Sequence, residues 1–446
     1  MTQSPPIQLE HYLAAYESQE RNGFSGDPQW TRELRRAAIA SFQQTGLPTA
    51  RRGNEEWKYT DVRPIARAAF QPGEKSSARI ATADLERFSF GEQGWPSLVF
   101  VDGGYSAELS DISHLPSGVT VANLAEAMAS QPDLVRQHLA RYADYETNGF
   151  TALNTAFVHN GAFVHIPDGT LVEEPVRLLF LSTSQEQETV SHPRVLIVTG
   201  RDSKVTIVEG YAGLSDQRYL TNGVSEVVVG QGSKVTYYKA QRQGQAAFHI
   251  TTTQVTLGRD SYFSSVNVDL GGRLVRNNLN IVTGDQGCSC KLYGLYMLTG
   301  SQHVDNQVIV DHARPYTTSQ ELYKGILDGK SRSVFHGSII VREGAVKVNS
   351  NQVDKNLLLS DQAEADTKPA FWIYCDDVKC GHGAACGQMD ESALFYLRSR
   401  GLDEQAARRL LTRAFANEII ESIENEPYRS HIEGLVQATL QEWLEK

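Results

Sequence analysis

The stretch Gly200-Arg-Asp-Ser-Lys-Val-Thr206 returns as Gly230-Gln-Gly-Ser-Lys-Val-Thr236 and, in part, as Gly258-Arg-Asp-Ser261, with first residues 30 and then 28 apart. A polar turn followed by a β-branched strand at a steady period restricts the fold severely. Each such unit can bury its apolar face only against its neighbours, which is the logic of stacked coils. Short runs of the same texture surround it at 163–166, 176–181, 195–198, 205–208, 227–229 and 235–238. Glycine and Asp/Asn turns separate them, and the pattern holds from about Gly149 to about Tyr374. Regular short strands also suit a sandwich or a barrel. The repeat favours a β-helix, with coincident turn chemistry in a sandwich as the alternative.

Helical periodicity brackets this region. Leu9, Tyr12, Leu13 and Tyr16 keep the spacing of one buried helix face. Trp30, Leu34, Ala38, Ile39 and Phe42 nearly repeat it before Gly46 and Pro48 end the helix. A compact cluster, Asn54-Glu-Glu-Trp-Lys-Tyr-Thr60, precedes Pro64. A strand at 97–101 turns at Gly103-Gly104, and helices are predicted over 121–129 and 132–142. Near the C-terminus Asp390 is placed to cap a helix that Gly401 stops. Asp403 caps a second, whose stripe runs through Leu410, Leu411, Ala414, Phe415, Glu418, Ile419 and Ile423. Pro427 is expected to break it, leaving a last helix over 431–444. Part of the stripe packs inward, and the rest can receive a partner helix or groove. We expect a mainly β chain: a right-handed parallel β-helix core over 149–374, between an N-terminal, mostly helical domain over 1–148 and a C-terminal α-helical domain over 375–446.

Charge narrows the partners. A formal net charge of −11 with no Lys/Arg stripe disfavours nucleic acid and anionic membrane surfaces. No run approaches the apolar length of a membrane span. With 446 residues, 40% hydrophobic and 21% charged, the chain is an ordinary globular protein of two or three domains. Met-Thr-Gln-Ser-Pro-Pro at the start shows no basic segment before an apolar run. No secretory leader is read there, and the expected compartment is cytoplasm, or plastid stroma after removal of a transit peptide. Five cysteines make no disulfide framework, and Cys375, Cys380 and Cys386 fall within twelve residues. A reducing compartment suits them.

Cys375-x4-Cys380-x-His382-x3-Cys386 has ligand types for zinc or an iron–sulfur cluster. Its spacing matches no closed zinc site. An incomplete site finished by a second chain fits better, and buried structural cysteines beside a capping histidine are the plainer alternative. On an extended backbone Cys380 and His382 share a side. Cys288 and Cys290 share one too, and are read as core residues. His303, His312 and His336 are scattered polar histidines on which no ligand set is built. Gly325-Ile-Leu-Asp-Gly329-Lys330-Ser331 has three residues between its glycines where a phosphate loop needs four, and a β context where a strand-to-helix turn is required. No nucleophile elbow, His-Glu-x-x-His or dinucleotide fingerprint is present.

Asp377-Val-Lys-Cys-Gly-His-Gly383, Gly387-Gln-Met-Asp-Glu391 and Leu394-Phe-Tyr-Leu-Arg-Ser-Arg-Gly401 resemble the C-terminal signature of the SufB/SufD scaffold family of the SUF iron–sulfur assembly system. Asn54-Glu-Glu-Trp-Lys-Tyr-Thr60 resembles the N-terminal motif of its SufD branch. Cys375 and Cys386 lie outside that signature, and Gly381 stands where a serine is common. The resemblance implies a non-catalytic scaffold in a complex with SufB-like and SufC-like proteins, the latter an ABC-type ATPase, and a possible homodimer when isolated. It implies pairing with SufB through the β-helix and a transient iron–sulfur cluster at that interface, with His382 and the neighbouring Cys380 as its residues here. It implies docking of SufC on the helices around 408–424, to which we assign Arg408, Leu411, Phe415, Glu418 and Ile419. No nucleotide is expected on this chain. Two rival readings stand beside it. One is a β-helix carbohydrate-active enzyme, the other a self-contained metal-binding or storage protein.

Overall fold

The computed structural model describes residues 9–24, 27–50, 54–73, 80, 88, 94–183 and 188–444. From Ala162–Ile166 to Val378–Gln388 the chain alternates between two facing, mainly parallel sheets, making a solenoid of about eight turns. The sequence repeat is one coil of it. Lys204 pairs with Lys234 and Thr206 with Thr236, while Lys234 pairs onward with Tyr262, so equivalent residues stack directly. The turn residue is left-handed in all three coils: Asp202 at φ 51°, Gly232 at 67° and Asp260 at 53°. Asp and Gly tolerate that region best. Gly230 is needed for a second reason, since a Cβ there would lie 2.1 Å from the carbonyl oxygen of Gly200. Ser233 Oγ donates to that same oxygen at 2.6 Å and stands 3.1 Å from Ser203 Oγ.

Inside the coils Val205, Ile207, Val235, Tyr237 and Phe263 form one buried core. Parallel sheets covered on both faces need such continuous apolar runs. Polar side chains also enter the interior. Lys239 donates to Thr251 Oγ1 at 2.5 Å and to Asn277 Oδ1 at 3.0 Å, and Asn277 donates to Asp269 Oδ2 at 2.9 Å. Burial pulls the Lys239 ammonium below its ordinary pKa and pushes Asp269 up to about 6.

Helices Glu10–Asn22 and Gln29–Thr45 bury Tyr12, Tyr16, Ala38 and Phe42 as their spacing predicts. The expected helix over 121–129 is divided: Thr120–Asn123 adds an antiparallel strand to Ala162–Ile166, and the helix runs Leu124–Ser130. β-branched Thr120 and Val121, beside a sheet edge, go to the sheet, where Val121 is buried. The next helix stops at His138, because Glu226, ion-paired to buried Arg194, takes the backbone N–H groups of Ala140, Tyr142 and Ala143. Pro427 begins the helix Glu426–Leu444 instead of preceding it by four residues, since its missing N–H costs nothing in the first turn. The strand Val378–Gln388 carries the solenoid past 374, so the Cys-x-His-Gly segment belongs to the last coil. Its glycines had disguised a strand that pairs with Val348–Leu358 along its whole length.

Asp390 and Asp403 cap Glu391–Ser399 and Glu404–Ile420, accepting from Ser392 N and Ala406 N. Gly401, at φ 98°, ends the first. The last two helices lie on the outer face of the sheet ending in Val378–Gln388. There Ala416, Ile419, Ile420, Ile423 and Tyr428 meet Val208, Tyr238, Val266 and Leu295. Tyr238 stacks on Tyr428 at 4.8 Å, and its hydroxyl accepts from the N–H groups of Glu424 and Asn425.

Candidate functional site at the open end of the solenoid

Solenoid interiors stay dry because each coil is covered by the next. At Val378–Gln388 the covering stops: this strand ends its sheet, no described strand pairs with its outer edge, and none of its residues is buried. Its partner Val348–Leu358 alternates between buried and less buried positions. Cys380 stands opposite Ser350, His382 opposite Gln352 and Cys386 opposite Asn356.

Val378 and Cys380 turn inward onto Ile339, Val341, Ala345 and Val348, where Phe371 and Cys375 also pack. His382, two residues on, shares that side. Its exposed imidazole rests on the Phe371 ring, with centroids 4.3 Å apart and planes at 39°. Cys380 and His382 are thus gathered at one end with Cys375 close by. Cys386 lies six residues further along, roughly 20 Å away at strand rise. Burial raises the Cys380 thiol above its ordinary pKa, against the opposing pull of a hydrogen bond from the Ser350 backbone. Cys386 is raised by burial and then by the charge of Asp354. Beneath Cys380 a file of hydroxyls runs back into the core: Ser350 Oγ to Ser319 Oγ at 2.6 Å, and Ser319 Oγ to His312 Nε2 at 3.0 Å.

A thiol and an imidazole on one open surface are iron-compatible ligands. Among the described residues no group of three or more His, Cys, Asp or Glu side chains is placed to hold a metal ion. Phe371, Ser350 and Gln352 complete the surroundings of that open surface and went unnoticed in the sequence. The coil register signals the last two, while nothing local marks Phe371. Cys288 and Cys290 are core residues as expected, both 1% exposed. His303, His312 and His336 are held apart by separate partners: Thr60, Thr317 with Ser319, and Gln307.

The helix residues expected to meet a partner divide. Ile419 is completely buried against the solenoid, which removes it from any docking face. Phe415 is half-buried, with Lys324 over its ring and bonded to its carbonyl oxygen at 2.9 Å. Glu418 is ion-paired with Lys324. Arg408 and Leu411 keep partial exposure. The apolar side chains that do reach outward are Phe395, Tyr396 and Leu410, the first 74% exposed. A cleft of about 460 Å³ between the last two helices is lined by Leu402, Ala406, Arg409, Leu410 and Arg413.

The Asn54–Thr60 cluster fastens the N-terminal region to the solenoid. Trp57 lies between Phe150 and the guanidinium of Arg276, which is 3.7 Å from its ring centre. Arg276 Nη1 donates to Glu56 O at 2.7 Å and to Asp305 Oδ2 at 2.5 Å. Thr60 Oγ1 donates to Asp305 Oδ2 at 2.5 Å and contacts His303 Nε2 at 2.9 Å.

Fold and site together define a class: a parallel β-solenoid flanked by helices, whose open last coil exposes His382 beside Cys380. The family model for the SUF system FeS cluster assembly SufBD core domain matches residues 180–415, and that for the SufBD protein N-terminal region matches 7–178. The chain belongs to the SufBD family of the SUF iron–sulfur cluster assembly system. It is 35% identical to an iron–sulfur cluster assembly SufBD family protein of Synechocystis over 83% of each chain. It is 28% identical to the iron–sulfur cluster assembly protein SufD of Escherichia coli, over 96% of this chain and 95% of that one. Protein ABCI7, chloroplastic, of Arabidopsis thaliana is also 28% identical, over 93% and 89%. Among the described residues no helix is long and apolar enough to cross a membrane.

Proposed function

We propose that this chain is the SufD-type scaffold subunit of a complex with a SufB-like scaffold and a SufC-like ATPase, with iron–sulfur cluster as cargo and no catalysis of its own. The observation that carries this reading is the uncovered last coil. Its unpaired strand edge offers backbone donors and acceptors to a second chain, and His382 stands exposed on it beside Cys380. A partner strand added there would bring its own thiolates to the same place. The cluster then forms only where the two chains meet, with His382 as the principal ligand from this side and Cys380 as its neighbour. In the absence of SufB the same edge can pair with a second copy of this chain. The ATPase docks on the outward face of the C-terminal helices, through Leu410, Arg408 and Leu411 with the adjoining arginine-flanked cleft. The SufD relatives are bacterial and the Arabidopsis relative is chloroplastic, so we place the complex in cytoplasm or plastid stroma.

The test is co-expression of the tagged chain with its host's SufB-like and SufC-like proteins, followed by sizing. A complex containing all three is expected. His382→Ala should leave that complex intact while the iron and sulfide it carries fall. A chain that stays alone and binds its own metal would reject the reading, and loss of assembly in His382→Ala would make that residue structural.

A further inference from the structure

A cleft of about 960 Å³ lies between the N-terminal region and the outer face of the sheet that contains Leu274–Thr283. Gln254, Asn280, Ile309, Ser338 and Ala370, from five successive strands in register, form a file along its floor. At a strand spacing of about 4.8 Å the file is roughly 19 Å long, the reach of about six extended residues. Glu55, Glu56 and Trp57 form one wall.

The polar groups here fall into two sets. Asn278 and Gln307 are satisfied internally: Arg276 Nε donates to Asn278 Oδ1 at 3.0 Å, and Gln307 Nε2 donates to Asp305 Oδ1 at 2.6 Å. By contrast, Gln254 and Asn280 make no side-chain hydrogen bond among the described residues, although Gln254 is only 9% exposed. Thr151 Oγ1, at the same end of the cleft, is buried without a partner. The Thr151 hydroxyl is thus a buried group left open, and the Gln254 and Asn280 amides beside it offer unused donors and acceptors to whatever enters the cleft.

We propose that this cleft binds an extended, neutral or basic segment of a partner polypeptide bearing a cysteine at the end nearest Trp372. The choice of a cysteine rests on the scaffold reading above. An amide side chain both donates and accepts, which matches a peptide backbone that presents N–H and C=O at every residue. The charges that border the cleft exclude an acidic segment. Lys368 is tied to Glu55 and Arg276 to Asp305, which leaves the exposed Glu56 and Asp144. The outer end of the cleft is marked by Trp372, 55% exposed on the strand Ala370–Ile373, next to Phe371, whose ring supports His382. A segment leaving the cleft there arrives at the open coil. A polypeptide can bring a thiol to that point and an oligosaccharide cannot, which decides between two ligands that amides bind equally well.

The probe is a phage-displayed library of random octapeptides with a cysteine fixed at either end, selected on the full chain. Enriched peptides, resynthesised with a fluorescent label, are then titrated by anisotropy. Neutral or basic peptides should be enriched, and Asn280→Ala and Trp372→Ala should each weaken their binding by about ten-fold or more with unchanged thermal midpoints. His382→Ala should leave peptide affinity unaltered, so failure of the cluster reading would not be mistaken for failure of the cleft. No enrichment, enrichment of acidic peptides, or affinities indifferent to both substitutions would overturn the proposal. So would binding of cello- or chito-oligosaccharides that Asn280→Ala abolishes.

Discussion

Glu321 stands fully buried one coil below Gln352, which in turn lies beside His382 in the register. Gln352 Nε2 donates to one carboxyl oxygen at 2.8 Å, the other has no partner, and burial pushes the group up to about 8 from 4.5. Between those values the folded chain keeps a proton that the unfolded chain releases, so stability falls as pH rises through this window. Glu321→Gln keeps a carbonyl oxygen for Gln352 and removes the ionisation. Its unfolding free energy should exceed that of the parent by on the order of 2–4 kcal/mol above about pH 8, and the advantage should vanish below about pH 4.5. Urea titrations across that range decide it, and parallel pH profiles would refute it. Arg276 illustrates the opposite case, a buried charge that is fully paired. Arg276→Met strands the Asp305 carboxylate and frees Trp57, and should cost about 3–5 kcal/mol. Adding Asp305→Asn should recover part of that loss in the same denaturation assay.

At the level of elements, the apolar stripe of the helix Glu404–Ile420 meets two environments, the solenoid on one side and solvent on the other. Ile419 faces the solenoid with no exposed area, whereas Leu410 is 46% exposed. Ile419→Asp should therefore lower the thermal midpoint through a buried, unpaired charge, whereas Leu410→Asp should leave the midpoint unchanged and weaken retention of the SufC-like partner in a pull-down. A fall in midpoint for both would mean that the outward face is not free. The stripe was visible as periodicity, but which half of it packs inward was not, because that depends on Val208, Tyr238 and Val266, more than a hundred residues away. The coil was legible for the contrasting reason that its period, turn residues and strand apolarity all lie within about thirty residues and agree. Cys380 and His382 were legible as a pair on one strand side. Phe371 beneath the histidine was not, nor was Arg276 beneath Trp57, since neither sits in a pattern that a linear reading can detect.

For the whole molecule, a solenoid is close to a one-dimensional stack whose terminal units need covers. Toward the N-terminal end, Thr120–Asn123 and Ser97–Val101 extend the sheets, and Tyr105, Leu115 and Val119 pack against the core there. The other end finishes on Val378–Gln388, with no further strand paired to it among the described residues. Edge amides without a partner open easily, while those of central coils open only with the fold itself. In the isolated chain, amide hydrogens of Val378–Gln388 should exchange much faster than those of Leu274–Thr283 in the middle of the stack. Addition of the SufB-like partner should slow exchange along Val378–Gln388 by about ten-fold or more, equivalent to roughly 1.4 kcal/mol of local protection, and leave Leu274–Thr283 unaffected. Protection appearing only on the C-terminal helices would place the partner there and leave the open coil without its proposed cover. Protection on the last strand would show that two incomplete ligand sets, each held at the end of a stack, are brought together when the stacks join.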